Sequence, residues 1–142
     1  MNRKKVLIVD DDRQVSLALS VRLKAADYDV DVAGDGESGL EKLAAGAHQW
    51  AGRPTSGPVR PDVVLLDMRM PGIDGLEVMR QMKRDPRLAD IPVIFVSANA
   101  QETAKRAALN AGGKIFLEKP FESRALLEAI RRVLEHNSGV TA

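Results

Sequence analysis

The chain has no cysteine, one tryptophan, one tyrosine and three phenylalanines in 142 residues. The absence of thiols removes any disulfide framework and any thiolate metal site. Two histidines, His48 and His136, are too few to build a histidine metal centre. Neither sign of charge dominates: 21 Lys and Arg against 20 Asp and Glu leave a net charge of +1. That balance gives no reason to expect nucleic acid or a membrane as the main partner. Long apolar runs are missing too. Nothing approaches the ~20 residues of a membrane helix. The run VLIV at 6–9, after the basic start MNRKK, is too short for a signal-peptide core. The expectation left by these absences is a cytoplasmic, soluble, single domain. A composition of 44% hydrophobic and 29% charged residues fits it, and the length suffices for a core without staples.

Five short apolar runs are present. VLIV (6–9), VVLL (63–66), VIFV (93–96) and IFL (115–117) are rich in β-branched residues and read as strands buried on both faces of a parallel sheet. YDVDV (28–32) alternates apolar and acidic residues. It reads as an edge strand with one wet face, where Asp29 and Asp31 discourage edge-to-edge pairing.

Helical patterns lie between these runs. Val15, Leu19 and Leu23 recur at helical spacing. Leu40 and Leu43 follow Asp35, an expected N-cap. Leu76, Met79 and Met82 follow Asp74, which with Glu77 predicts a capping box. Ala104, Ala107, Ala108 and Ala111 form a weak face, and Leu126, Leu127, Ile130, Val133 and Leu134 a strong one. The order βαβαβαβαβα predicts an α/β fold: a doubly wound, five-stranded parallel sheet with five helices on both faces. Residues 46–61, GAHQWAGRPTSGPVRP, exceed the ~2–6 residues usual for such a connection and predict an extended surface loop carrying His48 and Trp50. Residues 138–142 read as a tail after a domain spanning 1–137.

In an open α/β sheet, ligands bind beyond the carboxyl ends of the strands. The first run is followed by Asp10, Asp11 and Asp12, the run at 63–66 by Asp67, the run at 93–96 by Ser97, and the last, after Glu118, by Lys119. If the strands at 6–9 and 63–66 are neighbours, at least three carboxylates converge, flanked by one hydroxyl and one ammonium. Clustered carboxylates raise one another's pKa unless the charge is offset, and one lysine is too little. A hard divalent cation is the natural complement, since Mg²⁺ shares its shell with one or two carboxylates and a phosphate. The pocket therefore reads as a Mg²⁺-assisted (or Mn²⁺-assisted) phosphoryl site in which a carboxylate can be the covalent acceptor. Asp12 alone reads as a helix cap.

Four motifs, VDDD (9–12), LLDMRMPGIDG (65–75), VSA (96–98) and FLEKPF (116–121), stand in order at strand ends. Together they resemble the motifs of response-regulator receiver domains of two-component signal transduction, the CheY-like family, over residues 4–134. The resemblance implies a flavodoxin-like strand order 2-1-3-4-5. It implies Asp67 as the phosphoacceptor, Asp11 as a direct Mg²⁺ ligand, Asp10 as a ligand through water, and the backbone carbonyl of Arg69 as the third protein ligand. Ser97 would bond a phosphoryl oxygen. Lys119 would pair with Asp67 before transfer and with the phosphoryl group after it. Phe116 would be the aromatic switch coupled to Ser97, and Lys119–Pro120 a cis bond. Arg69 and Asn99 would tune how water reaches the phosphoryl group.

The implied function is a phosphorylation-dependent signalling switch, not a conventional enzyme, although it catalyses its own phosphorylation and dephosphorylation. The implied donor is a sensor histidine kinase or phosphotransfer protein. The implied output is a face made by the fourth helix, fifth strand and fifth helix, within residues 100–134, acting on a downstream protein or relay step. Two departures stand out. Phe116 lacks the hydroxyl of tyrosine, and Gly112 and Gly113 predict a looser switch region. A haloacid-dehalogenase-like phosphatase is the rival from the enzyme class. It needs a second aspartate two residues past the nucleophile, where this chain has Arg69. A degenerate receiver used for docking is disfavoured by the complete set Asp10, Asp11, Asp67, Ser97 and Lys119. A receiver cut from a longer regulator stays open.

Overall fold

A computed structural model describes residues 3–47, 60–98 and 101–137, with side chains to residue 46 in the first segment and to residue 135 in the last. The elements are β1 (Lys5–Val9), α1 (Arg13–Ala25), β2 (Asp29–Ala33), α2 (Gly36–Ala47), β3 (Val63–Asp67), α3 (Gly75–Arg84), β4 (Val93–Ser97), α4 (Glu102–Asn110), β5 (Ile115–Glu118) and α5 (Ser123–Asn137). The strands form one parallel sheet in the order β2-β1-β3-β4-β5. Helix α2 continues through Gly46 and Ala47, so the loop expected over 46–61 starts later than its glycine and proline content implied. Most of that loop, with His48 and Trp50, lies outside the described residues, as do Asn99, the tail 138–142 and the His136 side chain.

Alternation along the strands sends side chains to opposite faces. Leu7, Val9, Val64, Leu66, Val93 and Phe95 meet Leu43 of α2, Val78, Met79 and Met82 of α3, and Ala108 of α4. Val6, Ile8, Val63, Leu65 and Ile94 meet Leu19 and Leu23 of α1 and Leu126, Ala129, Ile130 and Val133 of α5. Helices thus cover both faces, and the three central strands are buried on both. Each large aliphatic side chain in these clusters contributes about 1.5–3 kcal/mol by leaving water.

β5 differs from its expected burial. Ile115, Phe116 and Leu117 are half-buried, because the strand occupies a sheet edge and has a neighbour on one side only. β2 is the other edge, as its alternation predicts, but its wet face is partly covered: Asp31 is half-buried against Lys42 of α2 at 2.9 Å.

Local polar chemistry sets the helix starts. Asp12 accepts from the N–H groups of Gln14 and Val15. Asp35 accepts from Ser38 N–H at 2.7 Å, and Asp74 from Glu77 N–H at 2.9 Å. The capping box at α3 is half-formed, since the Glu77 carboxylate accepts from Arg80 and Gln81 instead of reaching back. α4 starts at Gln101 with no side-chain cap and buries Ala108 alone. That helix is the least anchored of those with a described apolar face.

At Gly112–Gly113 the chain packs close to the core. A Cβ at Gly113 would stand 2.5 Å from Cδ2 of the fully buried Phe95. The glycine is required by the close approach of this loop to the core.

Candidate functional site: an acidic pocket at the strand carboxyl ends

In β1 and β3, Val9 lies opposite Leu66. The next residue of each strand path, Asp10 and Asp67, therefore stands at the same edge of the sheet. Asp67 lies opposite Val96, and Ser97 opposite Glu118. Lys119 N–H donates to the Ser97 carbonyl at 2.8 Å, which extends the β4–β5 pairing by one step and brings Lys119 beside Ser97. Four residues distant in sequence are thus assembled by strand register alone. The Lys119–Pro120 bond is cis, as the resemblance implied.

Asp10, Asp67 and Ser97 are 2%, 6% and 2% exposed, whereas Asp11 is exposed. Carboxylate oxygens of Asp10, Asp11 and Asp67 all lie within 4.8 Å of one another. Asp10 accepts from Lys119 Nζ at 2.7 Å and from Asp12 N–H at 2.9 Å. Lys119 Nζ is 3.7 Å from Asp67. The lysine therefore stands between both acids, within ion-pair distance of each and closer to Asp10. Asp12 lines the pocket, but its carboxylate is committed to the start of α1.

Electrostatics single out Asp67. Burial, then the negative charge of Asp10, push its carboxyl up to about 6 from the ordinary 3.8. Lys119 and the N–H of Arg69, which donates to the carboxylate, oppose the rise, and Asp11 adds to it. An acid held this far up, beside like charges in a cleft, marks a candidate functional position. The donor set is all oxygen and carries more negative charge than Lys119 offsets, so these residues fit a hard divalent cation.

The start of α3 packs closely against Asp67. Gly75 N–H donates to the Met68 carbonyl at 3.0 Å, and a Cβ at Gly75 would stand 2.4 Å from the Asp67 carbonyl oxygen. Only glycine allows this approach. The pocket has a volume of about 530 Å³, and Arg69, Ala98 and Gln101 complete its wall. Gln101 escaped the sequence reading. Its signal was slight: a polar residue four past Ser97, at the start of a helix. Phe116 lies on β5 opposite Phe95, half-buried against the cluster under α3 and α4.

Comparison with known proteins agrees with this geometry. The family model for the response regulator receiver domain matches residues 6–131. The DNA-binding dual master transcriptional regulator RpaA of Synechocystis is 33% identical over 136 residues, covering 96% of this chain and 51% of the relative. Response regulator MprA of Mycobacterium leprae is 36% identical over 130 residues, covering 92% and 50%. The chain thus spans about half the length of the curated relatives it matches. Among solved structures, a CheY-like receiver domain protein of Methanospirillum hungatei superposes with a TM-score of 0.81 at 25% identity, covering 96% of this chain and 98% of that one. Chemotaxis protein CheY4 of Vibrio cholerae gives 0.80 at 26%, covering 93% and 99%. No helix among the described residues is long and apolar enough to cross a membrane. The chain belongs to the response-regulator receiver domain family, and its part in two-component signalling is that of a phosphorylation-dependent switch.

Proposed function

We propose that Asp67 accepts a phosphoryl group from the phosphohistidine of a sensor kinase or phosphotransfer protein. The carrying observation is Asp67 itself, a buried carboxylate at a strand end, crowded by Asp10 and Asp11 and faced by Lys119. Mg²⁺ or Mn²⁺ would be held by Asp10, Asp11, Asp67 and the Arg69 carbonyl, and would supply positive charge to the phosphoryl oxygens. An ionised Asp67 oxygen forms the bond to phosphorus as the bond to the imidazole nitrogen breaks; the electron pair stays on that nitrogen, and the ring, protonated on its other nitrogen, leaves as neutral histidine. Lys119 moves from the carboxylates to the transferred group, and the Ser97 hydroxyl donates to one of its oxygens. Arg69 and Asn99 tune the access of water. The protein thereby catalyses its own modification without being a conventional enzyme.

The donor needs a way in. A mostly apolar groove of about 410 Å³ runs between α1 and the start of α5, lined by Val15, Ala18, Leu19, Pro120 and Phe121. It shares Ala98 and Lys119 with the acidic pocket. A helical donor lying there would present its phosphohistidine to Asp67. The output face is α4–β5–α5, where Ser97 draws inward and Phe116 follows. The thin anchoring of α4 supports this choice. Residues 1–137 form the receiver unit, and the downstream partner is a protein or a further relay step in the cytoplasm.

The test is intact mass after incubation with Mg²⁺ and acetyl phosphate, beside Asp67→Asn. One added phosphoryl group, lost without Mg²⁺ and lost in the variant, is expected. No adduct, even with a histidine-phosphorylated kinase, would leave a docking module in place of a switch.

A further inference from the structure

We propose that Gln101 positions the water that hydrolyses the phosphoryl group on Asp67, and so sets the lifetime of the phosphorylated state. This rests on the reading of Asp67 as the acceptor.

Hydrolysis of an acyl phosphate by in-line displacement has a fixed geometry. The water oxygen bonds phosphorus on the side opposite the Asp67 oxygen. The phosphorus–Asp67 bond then breaks with its electron pair staying on the carboxylate, and both protons of the water end on inorganic phosphate. Asp67 and Ser97 sit on the pocket floor at 6% and 2% exposure, so the attacking water must come from the mouth. Of the described wall residues, Arg69, Ala98 and Gln101 are the exposed ones on that rim besides the acids at 11 and 12.

The chemistry of these groups separates them. A water aimed at phosphorus needs an acceptor for one of its protons and a neighbour that does not repel the phosphoryl oxygens. Arginine only donates, ionised carboxylates only accept, and alanine does neither. The carboxamide of Gln101 does both without charge: its Oε1 accepts from water, and its Nε2 donates to a phosphoryl oxygen. Its side chain does not cap its own helix. Its backbone is held, since Lys105 N–H donates to the Gln101 carbonyl at 3.1 Å. The amide is thus presented from an ordered helix start, and any shift of α4 on signalling moves it relative to the phosphoryl group.

The experiment compares two rates on the full chain. Uptake from acetyl phosphate uses no attacking water, whereas decay after removal of the donor does. In Gln101→Leu, the ratio of decay rate to uptake rate should fall about threefold to tenfold, the worth of one oriented hydrogen bond. Gln101→Ser, which improves the helix cap but cannot span the pocket, should give the same fall and secures a folded comparison. An unchanged or raised ratio in a folded variant, including an equal loss of both rates, overturns the proposal. Absence of any adduct on the unaltered chain would overturn it together with the acceptor reading, a result distinguishable by mass alone.

Discussion

Asp67 is the acid that the fold tolerates least, and its removal should strengthen the protein while abolishing the chemistry. Its carboxylate oxygen lies within 4.8 Å of those of Asp10 and Asp11. Burial is the largest cost to its charge, the repulsion of Asp10 the next and that of Asp11 the least, while Lys119 at 3.7 Å opposes them. The balance appears as a carboxyl pushed up to about 6 from 3.8. Two units correspond to ~3 kcal/mol. Water reaching the open pocket screens this to about 1–2 kcal/mol.

The sign follows from proton counting. Between pH 4 and 6 the folded chain keeps the Asp67 proton while the unfolded chain has lost it, so unfolding becomes easier as pH rises through that window. Asp67→Asn removes the charge. In EDTA at pH 7.5 it should raise stability by about 1–2 kcal/mol, or ~2–8 °C in midpoint. At pH 4 the gain should be close to zero. Urea denaturation at both pH values measures it. Added Mg²⁺ should narrow the gap by stabilising the unaltered chain more. A variant less stable than the parent in EDTA, or a gain independent of pH, would refute the electrostatic reasoning.

Gly75→Ala places a Cβ 2.4 Å from the Asp67 carbonyl oxygen and 2.9 Å from Met68 Cα. Backbone must move, so a loss of about 1–3 kcal/mol in urea denaturation and a fall in phosphorylation rate of ~10-fold or more are expected together. Asp12→Ala removes the acceptor for Gln14 and Val15 N–H at the start of α1. It should cost about 1 kcal/mol while leaving the mass gained from acetyl phosphate at one phosphoryl group. Ala18→Glu alters an exposed side chain that lines the groove. Stability should change by less than ~0.5 kcal/mol, while phosphotransfer from a cognate kinase slows and uptake from acetyl phosphate holds. Equal effects on both donors would remove the docking groove from the account.

The sheet was legible because its strands are short apolar runs that end on polar residues, and because periodicity separates them from the helices between. Asp67, the proposed acceptor, its neighbouring acids, Ser97 and Lys119 were legible for the same reason: each is the first polar residue, or nearly so, past a run. What was not legible depends on register and on long-range approach. The half-burial of β5 follows from its edge position, which a run of Ile-Phe-Leu does not encode. Lys119 leaning on Asp10 rests on two contacts, 2.7 Å against 3.7 Å, that no motif encodes. Gly113 reads as slack in the sequence, yet in the fold it is where the chain touches Phe95. Gln101 carries no motif and enters the pocket only because α4 begins at its rim.

This uneven packing bears on how so local an event can be felt at a surface. The central strands are buried on both faces and hold the pocket floor rigid. On the β5 side the structure thins: the strand is half-exposed, and α4 buries one alanine. A change of charge at Asp67 worth a few kcal/mol is small against the whole domain. It is large against the contacts of a helix held by Ala108 and a few half-buried neighbours. Phosphorylation need not deform the core. It needs only to exceed the weakest element it touches, and Ser97, Phe116 and Gln101 place the pocket next to that element.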